Sequence, residues 1–262
     1  MSRIPDAFVD GPAFIGFVTA GDPDLASSEQ FVLAMAEAGA NLIEIGVPFS
    51  DPIAEGPVIQ EANLRALAAN TTMDEVLELV ARVRLSSEIP LVLLTYLNPV
   101  FHYGYGEFFT QAAKVGVDGI IIPDLPFEEH GELRDIAAAA DVDLISMIAP
   151  TSEGRVAEVC ALARGFIYLV SSMGVTGVRS ELGSGLPDMV ARVRQHTMLP
   201  IAVGFGISTP EQAASIAQYA DAVIVGSRIV TIIAEHGSEA TPHLKDYVSS
   251  MKAAMSTPDT IL

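Results

Sequence analysis

Eight short apolar runs recur along this chain, and their spacing limits the fold more than any other feature. They occupy residues 13–20, 41–47, 90–96, 119–124, 143–149, 165–171, 200–206 and 222–227. Each is rich in Ile, Val and Leu without clean alternation, the pattern of parallel strands buried on both faces. Helical patterns lie between them, with start signals at Ser27-x-x-Gln30, Thr72-x-x-Glu75 and Thr209-Pro210-x-Gln212. Gly39 and Gly116 fall where helices are expected to stop. Eight strand–helix units over 262 residues predict an α/β chain folded as a single (β/α)8 TIM barrel domain spanning 1–262, its tail frayed from about 256. A doubly wound open sheet is the alternative. Two connections exceed what the repeat needs. One, at 49–71, includes an extra helix over 57–68; the other, at 173–185, is rich in Gly and Ser. In a barrel both follow strand C-termini, after strands two and six, on the face that carries chemistry.

Composition narrows the class of partner. The net charge of -19 argues against nucleic acid and anionic membranes. It leaves phosphorylated small molecules open, because backbone N–H groups bind phosphate without lysine. No apolar run reaches the roughly 18 residues of a membrane span, and the first twelve residues lack a signal-peptide pattern. Cys160 is the only cysteine and sits in a helical pattern. The expectation is a cytoplasmic protein.

Candidate chemistry concentrates after the second run, in Ile-Glu-Ile-Gly-Val-Pro-Phe-Ser-Asp-Pro-Ile-Ala-Glu-Gly at 43–56. Glu44 interrupts an apolar strand, where a carboxylate is costly unless paired, hydrated or neutral. Asp51 and Glu55 follow in the loop, so carboxyl groups in contrasting environments gather at one strand end, as acid–base chemistry requires. Asp51 also suits a turn before Pro52, and Asp124 ends the fourth run. Tyr168 lies inside the sixth. A phosphate site is expected where the seventh and eighth runs end, at Val203-Gly-Phe205-Gly206-Ile-Ser and Val225-Gly226-Ser227, each ahead of a helix start. Gly174-Val-Thr176-Gly177, after the sixth run, could close over the same group. The three lysines (Lys114, Lys245, Lys252) all fall in helical stretches, so a Schiff-base aldolase has no nucleophile. The five histidines are scattered, and no metal site is expected.

With these residues in view, the chain resembles the tryptophan synthase alpha chain family from Phe14 to about Met255. The signature region is Leu42–Gln60. Supporting blocks include Phe17-Val-Thr-Ala-Gly-Asp-Pro23, Leu94-Thr-Tyr-Leu-Asn98, Pro123-Asp-Leu-Pro-Phe-Glu-Glu129 and Gly204-Phe-Gly-Ile-Ser208. The resemblance implies a (β/α)8 lyase that cleaves indole-3-glycerol phosphate to indole and glyceraldehyde 3-phosphate in tryptophan biosynthesis. Its partner would be a beta subunit carrying pyridoxal phosphate, in an alpha-beta-beta-alpha heterotetramer, with no cofactor in this chain. It further implies Glu44 as the acid–base group and Glu55 as acceptor for the indole N–H. Phe17, Leu94, Tyr96, Ile148 and Tyr168 would lie around the indole. Gly177, Phe205, Gly206, Gly226 and Ser227 would lie at the phosphate end, with Thr176 on the mobile loop. Pro48, Asp51, Asn98 and Asp124 would face the beta subunit. Two departures from the family stand out. Its second carboxylate is usually Asp, and Glu55 is one methylene longer. That opens the alternative of a mainly allosteric activator of beta with impaired catalysis of its own. The leading segment is also short, with Pro5, Gly11 and Pro12, so a truncated first helix and weaker closure of the barrel bottom are expected.

Overall fold

The computed structural model describes residues 2–170, 185–204 and 206–256. Its strands are β1 Ala13–Thr19, β2 Leu42–Gly46, β3 Leu91–Leu94, β4 Gly119–Ile121, β5 Asp143–Leu144, β6 Ser146–Ile148, β7 Ile167–Val170, β8 Ile201–Gly204 and β9 Ala222–Val225. All pairings are parallel, in the order β5-β4-β3-β2-β1-β9-β8-β7-β6. β5 pairs with β4 and β6 with β7, and only Ile145 separates the two pieces. They act as one staggered fifth strand, and the ring closes as an eight-stranded barrel. The open-sheet alternative is thereby excluded.

The helices are α1 Leu25–Glu37, α2 Pro57–Ala68, α3 Met73–Arg84, α4 Leu97–Tyr103, α5 Tyr105–Val115, α6 Gly131–Ala139, α7 Val156–Leu162, α8 Leu186–Arg194, α9 Pro210–Ala217, α10 Ser227–His236 and α11 Thr241–Ser256. Thr72 and Glu75 form a capping box at α3, and Thr209 and Gln212 another at α9, as their spacing predicts. At α1 the cap lies three residues earlier than expected. Asp24 accepts from the Ser27 N–H at 2.7 Å, so Ser27 is an interior, buried residue of the first turn. The stronger acceptor, an Asp carboxylate, wins the cap position. The residues at 171–184 and from 257 onward, where a long loop and a frayed tail are expected, lie outside the described residues.

Side chains alternate between two buried layers. Ile15, Leu42, Val92, Ile121, Ile145 and Tyr168 point into the barrel. Phe14, Ile43, Leu93, Ile120, Ile148 and Leu169 point outward against the helices. The bottom is closed despite the short leading segment. Residues Ile4–Phe8 form a 3-10 helix, and Ile4 is fully buried among the interior side chains. Its side chain sits against the bare backbone of Gly119 and Gly165, where an added Cβ would meet Ile4 Cδ1 at 3.0 and 3.3 Å. Buried Asp118 fastens this plug. It accepts from the Arg3 N–H at 2.9 Å, the Leu91 N–H at 2.8 Å and the Arg84 guanidinium at 2.6 Å. One short turn and an ion pair thus do the work expected of a longer helix.

Candidate active site

The C-terminal ends of the strands surround a cavity that has carboxyl groups at one end and glycine-rich backbone at the other. Phe17, Glu44, Leu94, Tyr168 and Ile224 reach it from β1, β2, β3, β7 and β9. All follow the inward alternation of their strands, so β2's own pleat aims Glu44 at the cavity. Glu44 is 1% exposed, and its Oε1 has no hydrogen-bond partner among the described residues. Desolvation alone pushes its pKa up to about 8. A carboxyl group in that state is protonated at neutral pH and close enough to ionising to act as an acid and then as a base.

Glu55 arrives from the loop after β2, just before the N-terminus of α2. It is 7% exposed and held on several sides. Asn63 Nδ2 donates to its Oε2 at 2.5 Å, and the Tyr96 hydroxyl also donates to the carboxylate. The Gln60 amide binds its backbone carbonyl at 2.8 Å. Burial raises the Glu55 pKa to about 7, against the lowering effect of the two donors. Glu55 therefore titrates below Glu44, so the proton is favoured on Glu44 and the charge on Glu55 as the pair ionises.

Gly206, Ser208, Gly226 and Ser227 line the opposite end. Gly206 has φ +80°, a conformation that favours glycine. α10 begins at Ser227, and a helix start leaves its first N–H groups without intrahelical partners. α9 offers less, because the Ser208 and Thr209 N–H groups are both taken by Gln212 Oε1, at 2.8 and 3.2 Å. Among the described residues, the helix start that offers free N–H groups at this end is that of α10.

Two expected positions change role. Ile148 is fully buried in the outer layer, whereas its neighbour Met147 lines the cavity. Alternation along β6 allows only one of the two to point inward. Tyr96 lies behind the Glu55 loop instead of on the cavity wall. Its hydroxyl accepts from the Ala54 N–H at 3.2 Å, and its ring stacks on Phe49 with centroids 5.1 Å apart. Thr176, Gly177 and Phe205 lie outside the described residues. The remaining expected group gathers on neighbouring loops of the same barrel face. Asp51 and Asn98 are exposed and Pro48 is buried, while Asp124 Oδ1 accepts from the Leu97 N–H at 2.9 Å. Exposed Ile53 (76%) and Phe101 (67%) stand among them.

Sequence reasoning missed Asn63 and Arg65. A signal for Asn63 was present: Ile59, Ala62 and Ala66 are the buried stripe of α2, and Asn63 lies within that stripe at helical spacing. A polar residue there must be hydrogen-bonded. Arg65 makes a two-pronged pair with buried Asp22, at 2.7 and 2.8 Å, tying α2 to the loop after β1. Nothing in the spacing of these two residues indicates that link.

The sequence profile described as "Tryptophan synthase alpha chain" matches residues 8–257. A tryptophan synthase alpha chain from Lactiplantibacillus plantarum is 48% identical over 264 residues, covering 100% of both chains. A solved structure of Mycobacterium tuberculosis tryptophan synthase superposes with TM-score 0.91 at 35% identity, covering 98% of this chain and 99% of that one. The tryptophan synthase a2b2 complex of Pyrococcus furiosus gives TM-score 0.87 at 39% identity, covering 92% and 98%.

Proposed function

The chain belongs to the tryptophan synthase alpha chain family, and from that premise we propose that Glu44 and Glu55 perform its chemistry. Members of the family are lyases that cleave indole-3-glycerol phosphate, and the indole passes to a beta subunit with which the alpha subunit pairs. The observation that carries the site assignment is the meeting in one cavity of a buried Glu44, whose Oε1 lacks a hydrogen-bond partner among the described residues, and a hydrogen-bonded Glu55.

The substrate phosphate sits at the start of α10 against Gly206, Gly226 and Ser227, and the indole lies between Phe17, Leu94 and Tyr168. Protonated Glu44 gives its proton to indole C3, and the carboxylate it becomes removes the proton of the side-chain hydroxyl. The bond from indole C3 to that carbon breaks, its electron pair returns to the ring, and glyceraldehyde 3-phosphate leaves. Glu44 ends as it began, protonated. Ionised Glu55 accepts the indole N–H and stabilises positive charge as it develops on the ring. The ring itself is the electron sink, so the mechanism is consistent with the absence of lysine from the strands. The buried setting of Glu55 and its two donors support a working carboxylate over an impaired one.

The exposed face carrying Asp51, Ile53, Asn98 and Phe101 is the docking surface for beta in an alpha-beta-beta-alpha assembly, with pyridoxal phosphate held by the beta subunit. The whole chain acts as one domain in the cytoplasm, and no helix among its described residues is long and apolar enough to cross a membrane. The test is glyceraldehyde 3-phosphate release from the indole substrate, with the chain alone and titrated with a beta subunit. The expected result is a slow rate that rises and saturates near one alpha per beta, and its loss in Glu44→Gln. Cleavage by that variant above a few per cent of wild type would remove Glu44 from its role.

A further inference from the structure

We infer that Asn63 is a positioning residue for the cleavage reaction, acting through Glu55 to fix both the place and the charge of its carboxylate. The inference rests on the reading of Glu55 as the group that meets the indole N–H. Asn63 is 3% exposed and lies on α2, eight residues beyond Glu55. Its amide is used at both ends. Oδ1 accepts from the Phe49 N–H at 3.4 Å, and Nδ2 donates to Glu55 Oε2 at 2.5 Å. The Phe49 N–H can only donate, so it orients the amide with its own donor toward Glu55. One side chain thereby spans the loop from its first residues to its catalytic end.

The surroundings reinforce the point. Phe49 stacks on Tyr96, and Tyr96 in turn meets Ala54 and Glu55. Glu55 is therefore enclosed by Asn63 from α2 and Tyr96 from the start of α4. The other ionisable groups near this enclosure are Glu44 and Tyr168 on the cavity wall, Arg228 at its phosphate end and Asp124 near Tyr96. None of the described lining residues is a lysine or histidine. Two neutral donors, not a counter-ion, favour the ionised form of Glu55 against the effect of its burial. Loss of either favours its protonated form, which cannot accept from the indole N–H in the same way.

The test is the pH profile of kcat and KM for cleavage with the beta subunit bound, in wild type, Asn63→Ala, Asn63→Asp and Glu55→Ala. Asn63→Asp keeps the side chain's volume and its acceptor for Phe49, which guards against a trivial folding failure. Asn63→Ala is expected to move the acid limb upward by about one pH unit, a drop of about fivefold in kcat relative to wild type at pH 7 that narrows to about twofold at pH 8. KM should change less than kcat. Asn63→Asp, with a second carboxyl group facing Glu55, should move the limb at least as far. If Glu55→Ala is inactive but both Asn63 variants keep the wild-type acid limb, the inference falls and the reading of Glu55 survives. If Glu55→Ala cleaves as wild type does, the reading itself falls.

Discussion

Replacing Glu44 by Gln should stabilise the protein in a way that grows with pH, because catalysis requires a carboxyl group that folding would otherwise exclude. The group titrates near 4.5 when solvated and at about 8 in the fold. Below pH 4.5 the proton is bound in both states, and burial has no titration cost. As pH rises from 4.5 to 8 the unfolded chain ionises while the folded one holds its proton, so stability falls throughout that window. Above 8 both states are ionised and the cost levels off. At about 1.4 kcal/mol per pKa unit, the loss is roughly 1 kcal/mol at pH 5, roughly 3 at pH 7 and roughly 5 at pH 9. Gln does not titrate. Its carboxamide brings N–H donors to a place where Oε1 already lacks a partner, a penalty of about 1–3 kcal/mol that is the same at every pH. The diagnostic quantity is thus the slope, not the offset. Urea unfolding of both proteins, followed by circular dichroism at pH 5, 7 and 9, should show the variant gaining on wild type by about 4 kcal/mol across the series. All other titrating groups are common to both chains and cancel. A difference that stays constant from pH 5 to 9 would refute the claim that Glu44 is buried in its protonated form.

The same values set the pH dependence of catalysis. Cleavage needs Glu55 ionised and Glu44 protonated, so kcat/KM should follow a bell rising near pH 7 and falling near pH 8, and a profile flat from 6 to 9 would contradict the assignment. Gly204→Ala places a Cβ 2.6 Å from the Tyr168 hydroxyl, which must move into the substrate cavity; KM for the indole substrate should rise about tenfold or more, and an unchanged KM would show that the ring has room. Arg65→Ala strips buried Asp22 of its two-pronged partner and should destabilise the chain by roughly 2 kcal/mol in urea unfolding. Arg65→Lys, which cannot make the fork, should recover only part of that loss.

The barrel was legible because its strands are buried on both faces and its helices carry local start signals. The runs were read longer than the strands proved to be. Tyr96, Asp124 and Ser227 lie beyond the paired segments, since pairing ends where loops begin to carry the site. Glu44 was legible as a charge among apolar neighbours. Ile148 was misplaced because a run without alternation does not show which of two adjacent residues points inward. Asp22 and Arg65, 43 positions apart, meet only through the tertiary fold, and no local pattern encodes that. The 3-10 plug escaped notice because a residue such as Ile4 shows its importance only when the bare backbone of Gly119 and Gly165 is brought beneath it.

The pairing of β1 with β9 also sets an order of events as the chain is made. The first strand leaves the ribosome with one edge that only residues 222–225 can cover. Lys252, in α11, then clasps the Pro12 carbonyl and Asn41 Oδ1 at 2.8 and 2.7 Å, beside the start of that first strand. Until β9 emerges, the nascent sheet therefore carries an open, apolar edge of the kind that templates aggregation. The ring cannot lock until β9 and α11 have emerged, so premature termination before Lys252 would leave the barrel without its fastening.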